Sequence, residues 1–139
     1  MKKKVLFLVL VLVTSVYISC KKEVTNSDNL NLLTSHIWTA DSLLADGNDA
    51  SGQNGLLEMF KGDTKFNEDG TGYVGDITGT WKFSNDEETA LTITSDSLVI
   101  PVTANIAELT AQSLKLTTRF PLPTTPVTTA DVRMTFIPK

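Results

Sequence analysis

Few side chains in this sequence are of the types that carry out catalysis or hold metal ions. The chain has one histidine, His36, and one cysteine, Cys20. A single imidazole cannot build a histidine metal cluster, and acid–base catalysis by His36 would need a partner side chain. The Gly-x-Ser-x-Gly turn that presents a nucleophilic serine is absent from the sequence. These residue types therefore predict that the protein is not an enzyme.

Two segments with the composition of turns contain acidic side chains that could be considered as ligands or catalytic groups. Segment 46–55, "DGNDASGQNG", is dense in Gly, Asn and Asp, as loops are. A calcium loop would need regularly spaced acidic ligands and a bidentate Glu where this sequence has Leu57. The second segment, Asp86 to Glu88, carries no motif of a glycoside hydrolase. We interpret both as solvated loops and expect neither a metal ion nor a cofactor.

The N-terminal residues have the layout of a secretory signal peptide. Three lysines at positions 2–4 precede an apolar run at 5–13, and the small residue Ser19 comes just before Cys20. A basic start, a short apolar core and a small residue before a break are typical of such a segment. The apolar stretch 5–18 is shorter than the roughly 20 residues of a spanning helix, although an uncleaved anchor is the alternative. Residues 1–19 are therefore predicted to be a signal peptide.

Cys20 follows this segment directly and has no partner for an internal disulfide. Exported cysteines usually pair, so a lone one needs another explanation, and an unmodified thiol is the simplest. The sequence Tyr17-Ile18-Ser19-Cys20 resembles the lipobox of bacterial lipoproteins. That resemblance implies a diacylglycerol thioether on the Cys20 sulfur, cleavage before Cys20, and acylation of the new N-terminus by a chain such as palmitate. Each buried methylene would contribute about 0.8 kcal/mol to membrane binding.

The residues after Cys20 bear on localisation. Lys21, rather than Asp, follows the cysteine. By the sorting rule of Gram-negative lipoproteins, the resemblance then implies anchoring in the outer membrane, within the cell envelope. Residues 20–29 are predicted to be the lipidated N-terminus and a polar linker.

The charge balance argues against nucleic-acid binding. The whole chain carries a formal net charge of −4. Removing residues 1–19 removes three lysines and no acid, which leaves 9 basic and 16 acidic residues and a formal charge of −7. Nucleic-acid binding needs concentrated positive charge, so this class of partner is excluded. Residues 30–139 have the length of one domain, which we take to be monomeric.

The rest of the chain alternates apolar and polar residues over short runs, as half-buried β-strands do. Asp69-Gly70, between Phe66 and Tyr73, predicts a hairpin because both turn residues tolerate positive φ. Pro101 favours an edge, a bulge or a bend in its strand. Residues 30–33 predict a short helix or turn. The predicted strands are 35–44, the two arms of a hairpin at 56–75, 79–84, 90–94, 98–106, 113–120 and 131–138.

About eight short strands predict an all-β fold, a small antiparallel up-and-down barrel, with a β-sandwich as the alternative. Six segments support a more specific interpretation: "LLTSHIWTAD", "TKFNEDGTGYV", "GTWKFSND", "ALTI", "IAELTAQSLKLT" and "RMTFIP". In this order they resemble the lipocalin-like domains of small bacterial lipoproteins, although His36 replaces a common Gly. The resemblance covers most of residues 30–139 and implies a lipocalin-like barrel in which Trp38 closes one end.

Barrels of this size hold either packed side chains or one small ligand. The candidate ligand-binding residues are Trp38, Phe66, Tyr73, Trp81 and Phe83, which are equally the expected core. The other side chains predicted to point inward are Leu91, Ile93, Leu98, Ile100, Leu114, Leu116, Met134 and Phe136.

Two functions stay open at this point. One is a membrane-anchored protein that binds a small hydrophobic ligand. The other is a structural or interaction lipoprotein whose packed barrel presents loops 46–55 and 121–129 to a protein or glycan.

Overall fold

A computed structural model describes residues 27–139. The predictions for the signal peptide, for Cys20 and for most of the linker lie outside these residues. The described chain contains one α-helix, one 3₁₀ helix and nine strands. In chain order they are α1 (Asp28–Ser35), β1 (Ile37–Ala45), β2 (Asn48–Asp49), the 3₁₀ helix (Glu58–Phe60), β3 (Asp63–Phe66), β4 (Thr71–Val74), β5 (Ile77–Phe83), β6 (Ala90–Thr94), β7 (Val102–Leu109), β8 (Leu114–Pro121) and β9 (Thr129–Pro138).

The strands form a closed antiparallel barrel, which confirms the predicted fold class. Each barrel strand pairs with the next along the chain, and β9 pairs back with β1 to close the ring of eight. The closing ladder is long: it runs from Trp38 opposite Pro138 to Ala45 opposite Val132. The two-residue β2 is extra and pairs only with the end of β1. Closure by the β1–β9 pairing rules out the alternative of a two-sheet sandwich.

Helix α1 covers one end of the barrel. Ser27 caps the helix by accepting a hydrogen bond from the backbone N–H of Leu30 at 3.1 Å. The helix contacts β3 and β7, which lie on opposite sides of the ring, so it must cross the barrel end. The Nε1–H of fully buried Trp38 donates to the carbonyl of Leu33 at 3.0 Å. Trp38 thus joins α1 to the core.

The opposite end of the barrel is closed by the segment between β2 and β3. Leu57 and Phe60 are 0% and 1% exposed, so this end is plugged from within the chain. The Phe60 ring meets Phe120 edge to face, with centroids 6.3 Å apart. Residues 95–101 and 122–128 connect strands at this same end, which we call the loop end.

Two hairpins are built on the same Asp-Gly dipeptide. Asp69-Gly70 lies in the turn of the β3–β4 hairpin, as predicted, and Gly70 has a φ of +83°. Asp46-Gly47 joins Ala45 to its partner Asn48 as a two-residue turn with both φ angles positive. The sequence interpretation of residues 46–55 as one loop missed this second turn, because the arm beyond it is only two residues long.

Several strand boundaries differ from the predictions. Residues 56–62, predicted to belong to the first hairpin arm, contain the 3₁₀ helix and precede β3. Two further differences concern the starts of β1 and β7. His36 ends α1 instead of lying in the first strand, and its ring packs edge to face on Trp38 at 5.2 Å. β7 begins at Val102, so Leu98 and Ile100 precede it and are not inward strand residues. Pro101 explains the difference at β7, because a residue without an N–H cannot donate to the ladder. In residues 27–139, no helix has the length and apolar character needed to cross a bilayer.

Candidate functional site

The interior of the barrel is packed with side chains. Trp38, Leu91 and Phe136 are fully buried, and they belong to one continuous apolar cluster. A small cavity beside Phe66 and Trp81 measures only about 10 Å³. That is the size of at most one water molecule, so this cavity has no room for a ligand.

Four of the five candidate ligand-binding residues belong to this packed core. Trp38 and Phe66 are 0% and 1% exposed, Trp81 is nearly buried, and Phe83 is half-buried. The Trp81 ring packs edge to face on both Phe66 and Phe83, each at 5.4 Å. Trp81 Nε1–H donates to the carbonyl of Asn67 at 2.9 Å, which ties the β3–β4 turn to the core. Their observed contacts are structural.

Tyr73 lies elsewhere. It pairs with Lys65 on β3 and with Thr78 on β5, while its chain neighbour Val74 is the buried one. Because successive side chains of a strand point to opposite faces, Tyr73 lies on the outer face of the barrel. The prediction that it points inward is therefore wrong.

An apolar concavity lies outside the core, at the loop end. Its volume is about 570 Å³, within the range of small-molecule sites. Three segments form its walls: the start of the 3₁₀ helix, the loop before β7, and the loop between β8 and β9. We call this concavity the loop-end cleft. Its lining residues are Leu56, Met59, Ser97, Leu98, Val99, Ile100, Phe120, Pro121, Leu122, Pro123 and Val127.

The chemistry of the loop-end cleft is almost wholly apolar. Ser97 supplies the one polar side chain of the lining, and no charged side chain belongs to it. Several of the lining residues are exposed, among them Val99 at 102%, Val127 at 73% and Ile100 at 52%. Scattered exposed apolar residues are normal, but a contiguous group is typical of a binding surface.

The β8–β9 loop that forms one wall is held in shape by Thr124. Its hydroxyl donates to the carbonyl of Pro126 at 3.0 Å and accepts from the Thr128 N–H at 3.1 Å. Pro121 and Pro123 have fixed φ angles, which lowers the conformational entropy lost if a ligand orders the wall further. This wall is therefore largely preformed.

The acidic residues of segment 46–55 satisfy backbone groups. Asp46 accepts the N–H of Asp131 at 2.9 Å, and Asp49 accepts the hydroxyl and N–H of Ser51 at 2.7 and 2.9 Å. The N–H and hydroxyl of Ser51 lower the pKa of Asp49 below its ordinary value. In the described part of the chain, no group of three or more His, Cys, Asp or Glu is arranged to hold a metal ion.

The apolar residues before Pro101 are a sequence signal for the loop-end cleft, but their alternation with β7 made them resemble part of a strand. Leu98, Val99 and Ile100 continue the apolar pattern of β7 across Pro101, so they read as strand core. In the structure this run precedes β7 as a loop in which Val99 and Ile100 are exposed. No protein-family profile and no curated protein matches this sequence.

Proposed function

We propose that this chain is a membrane-anchored lipoprotein of the cell envelope, with a lipocalin-like domain that binds a small hydrophobic ligand at its loop end. The acyl chains on Cys20 would form the anchor, in the outer membrane of a Gram-negative bacterium. The loop-end cleft is the observation that carries the ligand proposal, because its volume and apolar lining suit a small molecule.

The proposal moves the ligand away from the barrel interior. The packed core around Trp38 and Phe66 leaves no cup, so the ligand would rest on the plug formed by the 3₁₀ helix. An acyl chain or another uncharged apolar group fits such a lining, because an uncharged group needs no ionic partner when it is buried.

A second function is favoured by the same packed interior. A filled barrel with exposed Val99, Ile100 and Val127 would also suit an interaction lipoprotein that docks an apolar segment of a protein partner. Loop 121–129 would then be part of the docking surface, as the sequence suggested.

Native mass spectrometry tests the ligand proposal. Residues 24–139 would be incubated with extracted membrane lipids and measured before and after denaturation. We expect added mass that survives washing and is lost on unfolding. Bare protein in both spectra would contradict ligand binding and leave the interaction function.

Two isoleucines provide a matched pair of variants for this experiment. Ile100 lines the cleft and is 52% exposed, while Ile137 lies near the α1 end and is 44% exposed. Ile100→Asp should abolish the added mass because it places a charge in the apolar lining. Ile137→Asp should retain it, and equal loss in both variants would mean that the cleft is not the site.

A further inference from the structure

Both arginines of the sequence lie on one part of the outer surface, and neither lines the loop-end cleft. The other ten basic residues of the chain are lysines. Arg119 is on β8 and Arg133 on β9, and the register pairs them with Asp131 and Thr117 respectively. The two arginines are therefore diagonal neighbours on adjacent strands, on the same face of the sheet.

Both arginines line a groove of about 450 Å³. One row of its lining crosses four strands: Asn105 pairs with Thr117, Thr117 with Arg133, and Arg133 with Leu44. Gly47, in the turn of the β1–β2 hairpin, adds to the lining at the end of this row. We call this concavity the arginine groove.

The polar groups of the arginine groove are only partly used by the protein. Arg119 binds Asp131 through Nε at 3.2 Å, and both side chains are about three-quarters exposed. Arg133 is exposed and forms no ion pair with any residue in 27–139. The side chain of Asp46 is already engaged, since it accepts the Asp131 N–H. A free fork on Arg133 and the terminal nitrogens of Arg119 therefore face solvent.

The polar groups of the arginine groove suit a ligand that carries both an anionic group and hydroxyl groups. Guanidinium forks match carboxylate and phosphate oxygens bidentately, in a way that lysine cannot. Arg119 is paired with Asp131, and the Asp46 carboxylate accepts the Asp131 N–H, so these two carboxylates reduce the attraction of a bare anion. Asp131, Asn105 and Thr117 offer acceptors and donors of the kind that bind hydroxyl groups.

We propose that the arginine groove is a binding site for an acidic saccharide, that is, a sugar carrying a carboxylate or a phosphate. The oxyanion would bind Arg133 and the free nitrogens of Arg119, and sugar hydroxyls would bind Asp131, Asn105 and Thr117. The groove has room for a ligand of this class, since small-molecule sites begin at about 300 Å³. The proposal is independent of the ligand in the loop-end cleft, because it rests on a different surface.

The test is a ligand-observed NMR titration of the full chain in a detergent that has no sugar headgroup. The probes are glucuronate, glucose 6-phosphate, glucose and inorganic phosphate. We expect glucuronate or glucose 6-phosphate to bind at least about tenfold more tightly than glucose or phosphate, because only they use both sets of groups. Equal binding of inorganic phosphate, equal binding of glucose, or no binding of either acidic sugar would overturn the proposal.

Matched variants distinguish binding in the arginine groove from a general effect of positive charge on the protein. Arg133→Ala should weaken the acidic sugar by about tenfold or more, since it removes a charged hydrogen-bonding fork. Lys82→Ala removes the same charge from an exposed site on β5 and should change the affinity by less than about twofold. Arg133→Lys keeps the charge without the fork, so wild-type affinity in that variant, or equal weakening by Lys82→Ala, would refute the assigned geometry. Thermal unfolding of each variant checks that the barrel is intact.

Discussion

Thr64 carries a buried hydroxyl for which the protein provides no hydrogen-bond partner. The residue is 0% exposed on β3, and its Oγ1 is the one buried side-chain polar atom in residues 27–139 without a partner. Thr34 offers a contrast, because its hydroxyl donates to the Leu30 carbonyl at 2.8 Å within α1. The two threonines are both buried, and only one of them uses its hydroxyl.

We therefore expect opposite effects from the same substitution at these two sites. Thr64→Val removes an unsatisfied polar atom and should leave the free energy of unfolding unchanged or raise it by up to about 2 kcal/mol. Thr34→Val should lower it by about 1 kcal/mol, because a hydrogen bond is lost. Urea unfolding measures both, and destabilisation by Thr64→Val would show that its hydroxyl is satisfied after all.

Asp69 makes the β3–β4 turn sensitive to acid. The hydroxyl and the backbone N–H of Thr71 donate to its Oδ1 at 2.6 and 2.9 Å, and they lower the pKa of Asp69 below its ordinary value of 3.8. A lowered pKa in the folded state means that the carboxylate stabilises the fold above pH 3.8. That stabilisation is lost as the pH falls below 3.8 toward the pKa of the folded protein.

Asp69→Asn should accordingly flatten the acid side of the stability curve. The amide oxygen can still accept from Thr71, but it does not titrate. Urea midpoints measured above and below pH 3.8 should differ less in Asp69→Asn than in the wild type. Asp86→Asn, in an exposed turn, serves as the control and should keep the wild-type pH dependence. An unchanged slope in Asp69→Asn would contradict the assignment.

At the scale of the elements, β4 and β5 approach their neighbours closely through glycine. Gly72 and Gly79 are opposite each other across the two strands. A Cβ built on Gly79 would lie 2.1 Å from the carbonyl oxygen of Thr94 on β6, which is backbone and cannot move aside cheaply. The sequence motif Gly-Thr-Trp therefore has a steric reason for its first residue at this position.

Gly79→Ala should destabilise the barrel by about 1–3 kcal/mol, the usual effect of forcing atoms into a packed site. Gly52→Ala is the matched control, because nothing lies within 4 Å of the added carbon. That variant should stay within about 0.5 kcal/mol of the wild type. Equal stability of the two variants in urea would mean that β5 and β6 separate without strain.

The elements also show where sequence reasoning succeeds and where it cannot. Asp69-Gly70 was predictable because alternating arms flank it, while Asp46-Gly47 lacks a second arm long enough to show a period. Leu98 and Ile100 were wrongly assigned to a strand because alternation shows which residues are apolar. It does not show whether their side chains are buried in a core or line a loop. Their side chains line the loop-end cleft, and only the fold distinguishes an exposed apolar loop from a core strand.

At the scale of the whole molecule, the barrel depends on one pairing that no local pattern encodes. The ladder between β1 and β9 joins residues almost a hundred positions apart, so the choice between barrel and sandwich was open in the sequence. The packed interior was equally hidden, since Trp38 and Phe66 would look the same lining a cup or filling it. The anchoring of this barrel through Cys20 remains a prediction.

Cys20→Ala tests that anchoring in cells. Without the sulfur no thioether can form, and we expect the variant to lose acylation and to leave the membrane fraction. Fractionation and intact-mass measurement check this, with Thr25→Ala as a control that keeps the cysteine. Membrane association of Cys20→Ala equal to that of the wild type would contradict the proposed lipoprotein.

The position of α1 determines which end of the barrel would be nearer the membrane in a protein anchored through Cys20. The chain enters the barrel through Ser27 and α1, at the end opposite the loop-end cleft. A tether from residue 20 to residue 27 would reach at most about 25 Å when fully extended, while β9 alone is about 33 Å long. A barrel held this way would stand on its sealed base with its receptive end turned toward the aqueous compartment. A ligand would then enter the loop-end cleft from that compartment. Exchange of the ligand with the anchoring bilayer would require the whole barrel to turn over within the reach of the tether.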